Sequence, residues 1–243
     1  VEYGSRLDPG VPVVCLPGLT RNAEDFAALA RALASGGKAR RRVLALDYRG
    51  RGRSDWDRNW QNYNLSVENA DILSVLDSAG VHQAIVVGTS RGGLITHVLA
   101  AAQPTRIGAV VLNDIGPVID IDGLVRIAGY VGRAPLPKSW GDAARLVKDL
   151  TTRDFPGMTE AGAEKMARQL FNERNGKPAP GYDPQLSKGL SLLDGPIPEL
   201  WPQFEGLKRV PMMVVRGGNS DLLSRKTVDE MRRRHPRLTS IEV

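Results

Sequence analysis

With one cysteine, Cys15, the 243-residue chain can form no internal disulfide. That thiol lies in the apolar run Val13-Val14-Cys15-Leu16, which marks it as a core residue. A core thiol favours a reducing compartment, and a cytoplasmic location is the expectation. No apolar run approaches the ~20 residues that a membrane span requires, so no span is expected. Neither an internal repeat nor a low-complexity tract is present. Aromatic residues make up only 5%. Histidine is scarce as well: His82, His97 and His235 are the three. The first residue is Val1 rather than Met, which leaves room for a preceding segment, a removed signal peptide included.

The chain is long enough for one large core, or one core plus a modest lid. Its net charge is +6, concentrated in Lys38-Ala-Arg-Arg-Arg42, in Arg49, Arg51 and Arg53, and in Arg232-Arg-Arg234. These clusters fall between elements or in the last turn of a helix, where cations suit the dipole. They read as a solvated surface rather than a nucleic-acid face, which would need aromatics interleaved with the basic groups.

Hydrophobic patterning alternates between two kinds of segment. Val11 to Leu16, Val43 to Leu46, Ile85 to Val87, Ala109 to Leu112 and Val210 to Arg216 are short, largely apolar runs that read as buried strands, the third of them β-branched throughout. Leu238 to Val243 begins one more. Between them lie amphipathic helical patterns, one with Phe26, Leu29, Ala30 and Leu33 on a face. Another carries Ile72, Val75, Leu76 and Ala79, with Ser66 as its cap and Gly80 as its stop. This alternation predicts βαβ crossovers and a mostly parallel sheet with helices on both faces. From Val118 to Gly206 it stops, and only helical patterns remain, near 121–133, 141–152 and 159–173. Residues 1–117 and 207–243 are therefore assigned to an α/β core and 118–206 to a helical lid over the C-terminal edge of the sheet. Tyr130, Trp140, Phe155, Phe171 and Trp201 belong to this segment. Each reads first as lid core and second as pocket lining.

The most informative stretch is Ala84 to Ala102. A buried strand breaks at Gly88, and a helical pattern resumes with Leu94, Ile95, Val98 and Leu99. Between them stands Gly88-Thr-Ser-Arg-Gly92, a G-x-S-x-G in the strand–turn–helix setting that this motif requires. The bare pattern is weak; the setting makes it specific. It would hold Ser90 at a strand's C-terminal end above a helix N-terminus. A serine hydroxyl needs a base to take its proton and an acid to orient that base. Asp221, on the loop after strand 210–216, has the position for the acid. Asp114, just beyond Ala109 to Leu112, is the alternative. Asp47 reads instead as the anchor of its own arginine-rich loop.

Taken in order, Leu16-Pro-Gly-Leu-Thr-Arg-Asn22, Asp47-Tyr-Arg-Gly-Arg-Gly-Arg-Ser54, Gly88 to Gly92 and Arg216-Gly-Gly-Asn-Ser-Asp-Leu-Leu-Ser224 resemble the α/β-hydrolase superfamily, in its lid-bearing bacterial esterase-like branch. The resemblance spans nearly the whole chain. It implies Ser90 as nucleophile, Asp221 as triad acid, and an oxyanion hole from the backbone N–H groups of Leu19 and Arg91. Pro17 stands where many relatives have histidine.

The expectation is a serine hydrolase that cleaves small carboxylic esters through an acyl-enzyme, with no metal or organic cofactor. Lactone or carbon–carbon bond hydrolysis would use the same residues, and a non-catalytic binding or sensor protein is the alternative from another class. None of the three histidines suits the base. His97 lies along the helix running away from Ser90, His235 at the far end of another helix, and His82 at the wrong end of its strand. The family's base follows the last strand, so the expectation is that it lies beyond Val243.

Overall fold

The computed structural model describes residues 1–133, 135–190 and 198–243. Strand β1 (Glu2–Tyr3) is a two-residue edge piece, and β2 (Val13–Leu16) is buried throughout. A turn of 3-10 helix capped by Asn22 leads into α1 (Ala27–Ala34), and β3 (Val43–Ala45) follows. Helix α2 (Leu65–Ser78) is capped by Asn64, whose side chain accepts the Val67 N–H, and not by Ser66. Asn64 wins because it alone has the extended backbone that aims its side chain at the first turn. Strand β4 (Ala84–Thr89) runs into α3 (Arg91–Ala102), and β5 (Ile107–Asn113) completes the first half.

Helices α4 (Ile121–Tyr130), α5 (Trp140–Thr151) and α6 (Glu160–Leu170) come next. Then β6 (Asn172–Arg174) and β7 (Lys177–Ala179) form an antiparallel hairpin, followed by α7 (Leu186–Leu190) and α8 (Trp201–Gly206). The hairpin corrects the expectation of helices alone in 118–206. Its turn is Asn175-Gly176, both with positive φ (53° and 73°), the backbone that tight hairpin turns demand. Strand β8 (Met212–Arg216), α9 (Arg225–Arg234) and β9 (Leu238–Glu242) end the described chain.

The main sheet has the order β1-β3-β2-β4-β5-β8-β9, with β1 antiparallel and every other pairing parallel. Parallel neighbours bring their C-terminal ends to one edge, so the loops after β2, β4, β5 and β8 share it. The larger core cluster joins Val86, Ile95, Leu99, Leu112, Phe204 and Met231 on one face, and the smaller joins Val13, Cys15, Phe26 and Val87 on the other. Burial pushes the Cys15 thiol up to about 12, which keeps it protonated.

The arginine-rich clusters are not wholly surface. Arg51 is completely buried and Arg42 nearly so. Each has a carboxylate partner, Glu68 for Arg51 and Glu2 for Arg42. Burying a guanidinium is tolerable only when it is paired in this way. Among the described residues no helix is long and apolar enough to cross a membrane.

Candidate active site

Ser90 sits at the junction of β4 and α3 with φ 49° and ψ −113°, a conformation that L-residues seldom adopt. Neighbouring backbone enforces it. A Cβ on Gly88 would come within 2.7 Å of the Gly92 carbonyl carbon, and one on Gly92 within 2.6 Å of the Leu16 carbonyl carbon. Both glycines are therefore required by close approach, because β4, α3 and the end of β2 meet with no room for a side chain. The Ser90 N–H donates to the Asn113 carbonyl (3.1 Å), which ties the turn to β5.

The loop after β2 faces this serine. A side chain placed on Gly18 would lie 3.2 Å from Arg21 Cγ and 3.8 Å from Ser90 Cβ, so Gly18 lies against the hydroxyl-bearing carbon. Among the described residues, the backbone N–H groups of Leu19 and Arg91 have no partner within the chain. Asp47 anchors its own loop, accepting the Ala23 N–H at 2.7 Å and the Arg53 N–H at 3.0 Å.

Asp221 lies on the loop after β8, at the same sheet edge as Ser90 and two strands away. Helix α4 packs on that loop, its Gly123 N–H donating to the Asp221 carbonyl at 3.1 Å. A Cβ on Gly123 would come within 2.5 Å of the same oxygen. This contact brings Arg126, almost one turn further on, to the Asp221 carboxylate, where it forms a two-pronged ion pair at 2.8 and 2.9 Å. Arg153 adds a third bond at 2.7 Å. The Arg126 hydrogen bond is the main reason that the Asp221 carboxyl is held below its ordinary value. Arg216 secures the loop by donating to the carbonyls of Gly218, Ser220 and Leu223.

Asp114, the alternative acid, also occupies this edge, with φ 54°. Its Oδ1 accepts the Gly217 N–H at 2.9 Å, bracing the start of the acid loop.

No described histidine reaches Ser90. His97 is completely buried about two turns along α3 from Ser90, with Nδ1 against the Gly93 carbonyl at 2.7 Å and its ring stacked on Phe204. His235 is buried too, with Nε2 bonded to the Leu207 carbonyl at 3.0 Å. His82 is exposed, beyond the N-terminal end of β4. Burial pushes His97 down to about 4. The unfolded chain protonates this ring near 6.5, whereas the folded chain keeps it neutral. Its contribution to stability is therefore full above pH 6.5 and falls progressively as pH drops toward 4, by about 3 kcal/mol in all. Urea midpoints across that window should fall less steeply for His97→Leu than for wild type; equal slopes would show that His97 is not the cause.

A cavity of about 260 Å³ lies between the loop after β2 and the inserted helices. Arg21, Arg126, Tyr130, Val147, Leu150 and Phe171 are among its lining residues. Of the five aromatic residues considered in the sequence, Tyr130 and Phe171 line it. Trp140 and Trp201 instead lie under the guanidinium groups of Arg168 and Arg234, and Phe155 is exposed. Arg126 and Arg153 carry no local sequence signal, since their partner is set by tertiary packing.

Comparison with known proteins fits this geometry. Residues 11–236 match the family model described as alpha/beta hydrolase fold. A 3-hydroxybutyrate-oligomer hydrolase of Cupriavidus necator is 32% identical, over all of this chain and 83% of its own length. An esterase of Mycobacterium tuberculosis is 28% identical over 83% of this chain and 66% of its own length. The crystal structure of an alpha/beta hydrolase from Novosphingobium aromaticivorans superposes with a TM-score of 0.89 and 36% identity, covering 99% of this chain and 83% of that one.

Proposed function

The chain belongs to the α/β-hydrolase family, and from that premise we propose that it is a serine hydrolase of small carboxylic esters acting through an acyl-enzyme. The observation that carries this reading is Ser90 on a strained strand-to-helix turn, between two glycines that nothing larger could replace. Residues 118–206 act as a lid, and the cavity beneath them takes the substrate. The Cupriavidus relative suggests short oligomers of a hydroxy acid as the first esters to try.

In this mechanism Ser90 Oγ attacks the acyl carbon as a histidine takes its proton. The oxygen that becomes negative is held by the Leu19 and Arg91 N–H groups, each donor worth on the order of 3–4 kcal/mol of barrier lowering. The same histidine returns the proton to the departing alcohol, and water then cleaves the acyl-enzyme by the reverse sequence. Asp221 orients the histidine. Because His82, His97 and His235 are all remote from Ser90, the histidine is assigned to chain outside residues 1–243. Asp221 is preferred to Asp114 for the orienting role on its place in the loop after β8; both of its oxygens are engaged by Arg126 and Arg153, and one oxygen of Asp114 accepts the Gly217 N–H.

The full-length protein should be labelled by a fluorophosphonate at Ser90 alone, located by peptide mass spectrometry. It should also hydrolyse p-nitrophenyl butyrate and linear 3-hydroxybutyrate oligomers. A folded protein that takes no label and turns over neither substrate would be a binding or sensor module on a hydrolase scaffold.

A further inference from the structure

Beneath the candidate oxyanion hole lies a chain of charges that links its two halves. Arg51 is fully buried, and its Nε donates to the Leu19 carbonyl at 2.8 Å. Its Nη1 donates to Glu68 Oε1 at 2.7 Å. The other oxygen, Glu68 Oε2, accepts from Arg91 Nε at 2.7 Å. Glu68 itself is completely buried, in the first turn of α2. One carboxylate therefore connects Leu19 to Arg91, the two residues whose backbone N–H groups are free to meet a developing oxyanion.

The carbonyls around the Leu19 N–H are fixed on every side. The Tyr48 hydroxyl donates to Pro17 O at 3.1 Å, the Arg21 N–H to Gly18 O at 3.2 Å, and Arg51 to Leu19 O. In a trans peptide the N–H points opposite to its carbonyl, so anchoring Gly18 O turns the Leu19 N–H the other way. On the far side, Arg91 Nη2 also donates to the Tyr63 carbonyl at 3.2 Å. The Arg51 guanidinium lies 5.5 Å from both the Tyr48 and Tyr63 ring centres. Its Nη2 is buried with no partner among the described residues.

Burying two guanidinium groups against one carboxylate is a poor way to gain stability, since apolar side chains of similar volume often do as well or better. The arrangement does, however, hold two loops at a set separation, and oxyanion donors act through preorganised geometry. The geometry points to Glu68 as the positioning residue of the oxyanion hole: it sets the spacing and direction of the Leu19 and Arg91 N–H groups without touching substrate. Arg51 and Arg91 are its two arms. This inference rests on Ser90 being the nucleophile.

The test compares full-length wild type with Glu68→Gln, which keeps the size and one acceptor but removes the charge. For a p-nitrophenyl ester, kcat should fall about ten- to a hundredfold while KM stays within about twofold. Affinity for a trifluoromethyl ketone, which mimics the tetrahedral adduct, should fall in parallel with kcat, while a non-reactive product acid binds as before. Glu68→Asp should partly restore kcat. If Glu68→Gln is not folded by circular dichroism, Arg91→Gln breaks the same link and carries the same expectation. A folded variant with wild-type kcat, or one losing affinity for the ketone and the product acid equally, would overturn the inference. Turnover surviving Ser90→Ala would instead remove the nucleophile reading on which it stands.

Discussion

Ser90→Ala should reduce kcat for ester substrates by about 10⁶-fold, the scale on which loss of the nucleophile disables other serine hydrolases. Fluorophosphonate labelling should vanish with it. The variant should remain folded, because alanine fills the same turn and the Ser90 side chain makes no hydrogen bond that caps α3. Substrate binding should also persist, since the lining of the cavity is untouched. That combination separates chemistry from folding: lost turnover with retained stability and retained affinity for a product acid. A Ser90→Ala protein that hydrolyses esters at the wild-type rate would place the chemistry elsewhere in the molecule.

Gly92→Ala should have the largest effect on folding. The added methyl carbon would lie 2.6 Å from the Leu16 carbonyl carbon and press on its oxygen, and neither atom is a flexible side-chain tip that could turn aside. Relief would require β2 and α3 to separate beneath the site. Overpacking in a core commonly costs about 1–3 kcal/mol, and a clash with backbone belongs at or above the upper end. For a chain of this length that corresponds to a melting temperature lowered by about 6–12 °C, together with loss of activity. Gly129 in α4 provides the control. Nothing lies within 4 Å of a Cβ placed there, so Gly129→Ala should be neutral or stabilise by up to about 1 kcal/mol. Similar melting temperatures for the two variants would refute the close-approach argument.

Fold and site differ in how far the sequence discloses them. The parallel sheet is legible because its strands are buried on both faces and leave continuous β-branched runs such as Ile85 to Val87. Ser90 stands out because strand, glycines and helix coincide within a few residues. Asp221 is legible as a candidate acid from its place on a loop after a strand. The Asn175-Gly176 turn is a hairpin signal in itself, but the flanking Asn172 to Arg174 and Lys177 to Ala179 are mostly polar and show no alternation. They pair through backbone on a short exposed ribbon, where side-chain pattern has little to say. Glu68 reads as an ordinary acid in a helix's first turn. Only tertiary structure brings it under Arg51 and Arg91 and takes it out of water. Arg126 and Arg153 reach Asp221 from 95 and 68 residues away, separations at which no local pattern operates.

The bond between α4 and the acid loop has a mechanical consequence. Asp120 and Gly123 donate backbone hydrogen bonds to Leu222 and Asp221, and Arg126 grips the carboxylate, so this corner of the inserted segment is riveted to the sheet. Helices α5 and α6 pack mainly on each other around Ala143, Val147 and Ala167. Under the proposed function, opening of this segment for a bulkier ester would therefore start from the α5–α6 pair, whose ties to the core include the bond from Arg153 to Asp221 and that from the Asn22 side chain to the Gln169 carbonyl.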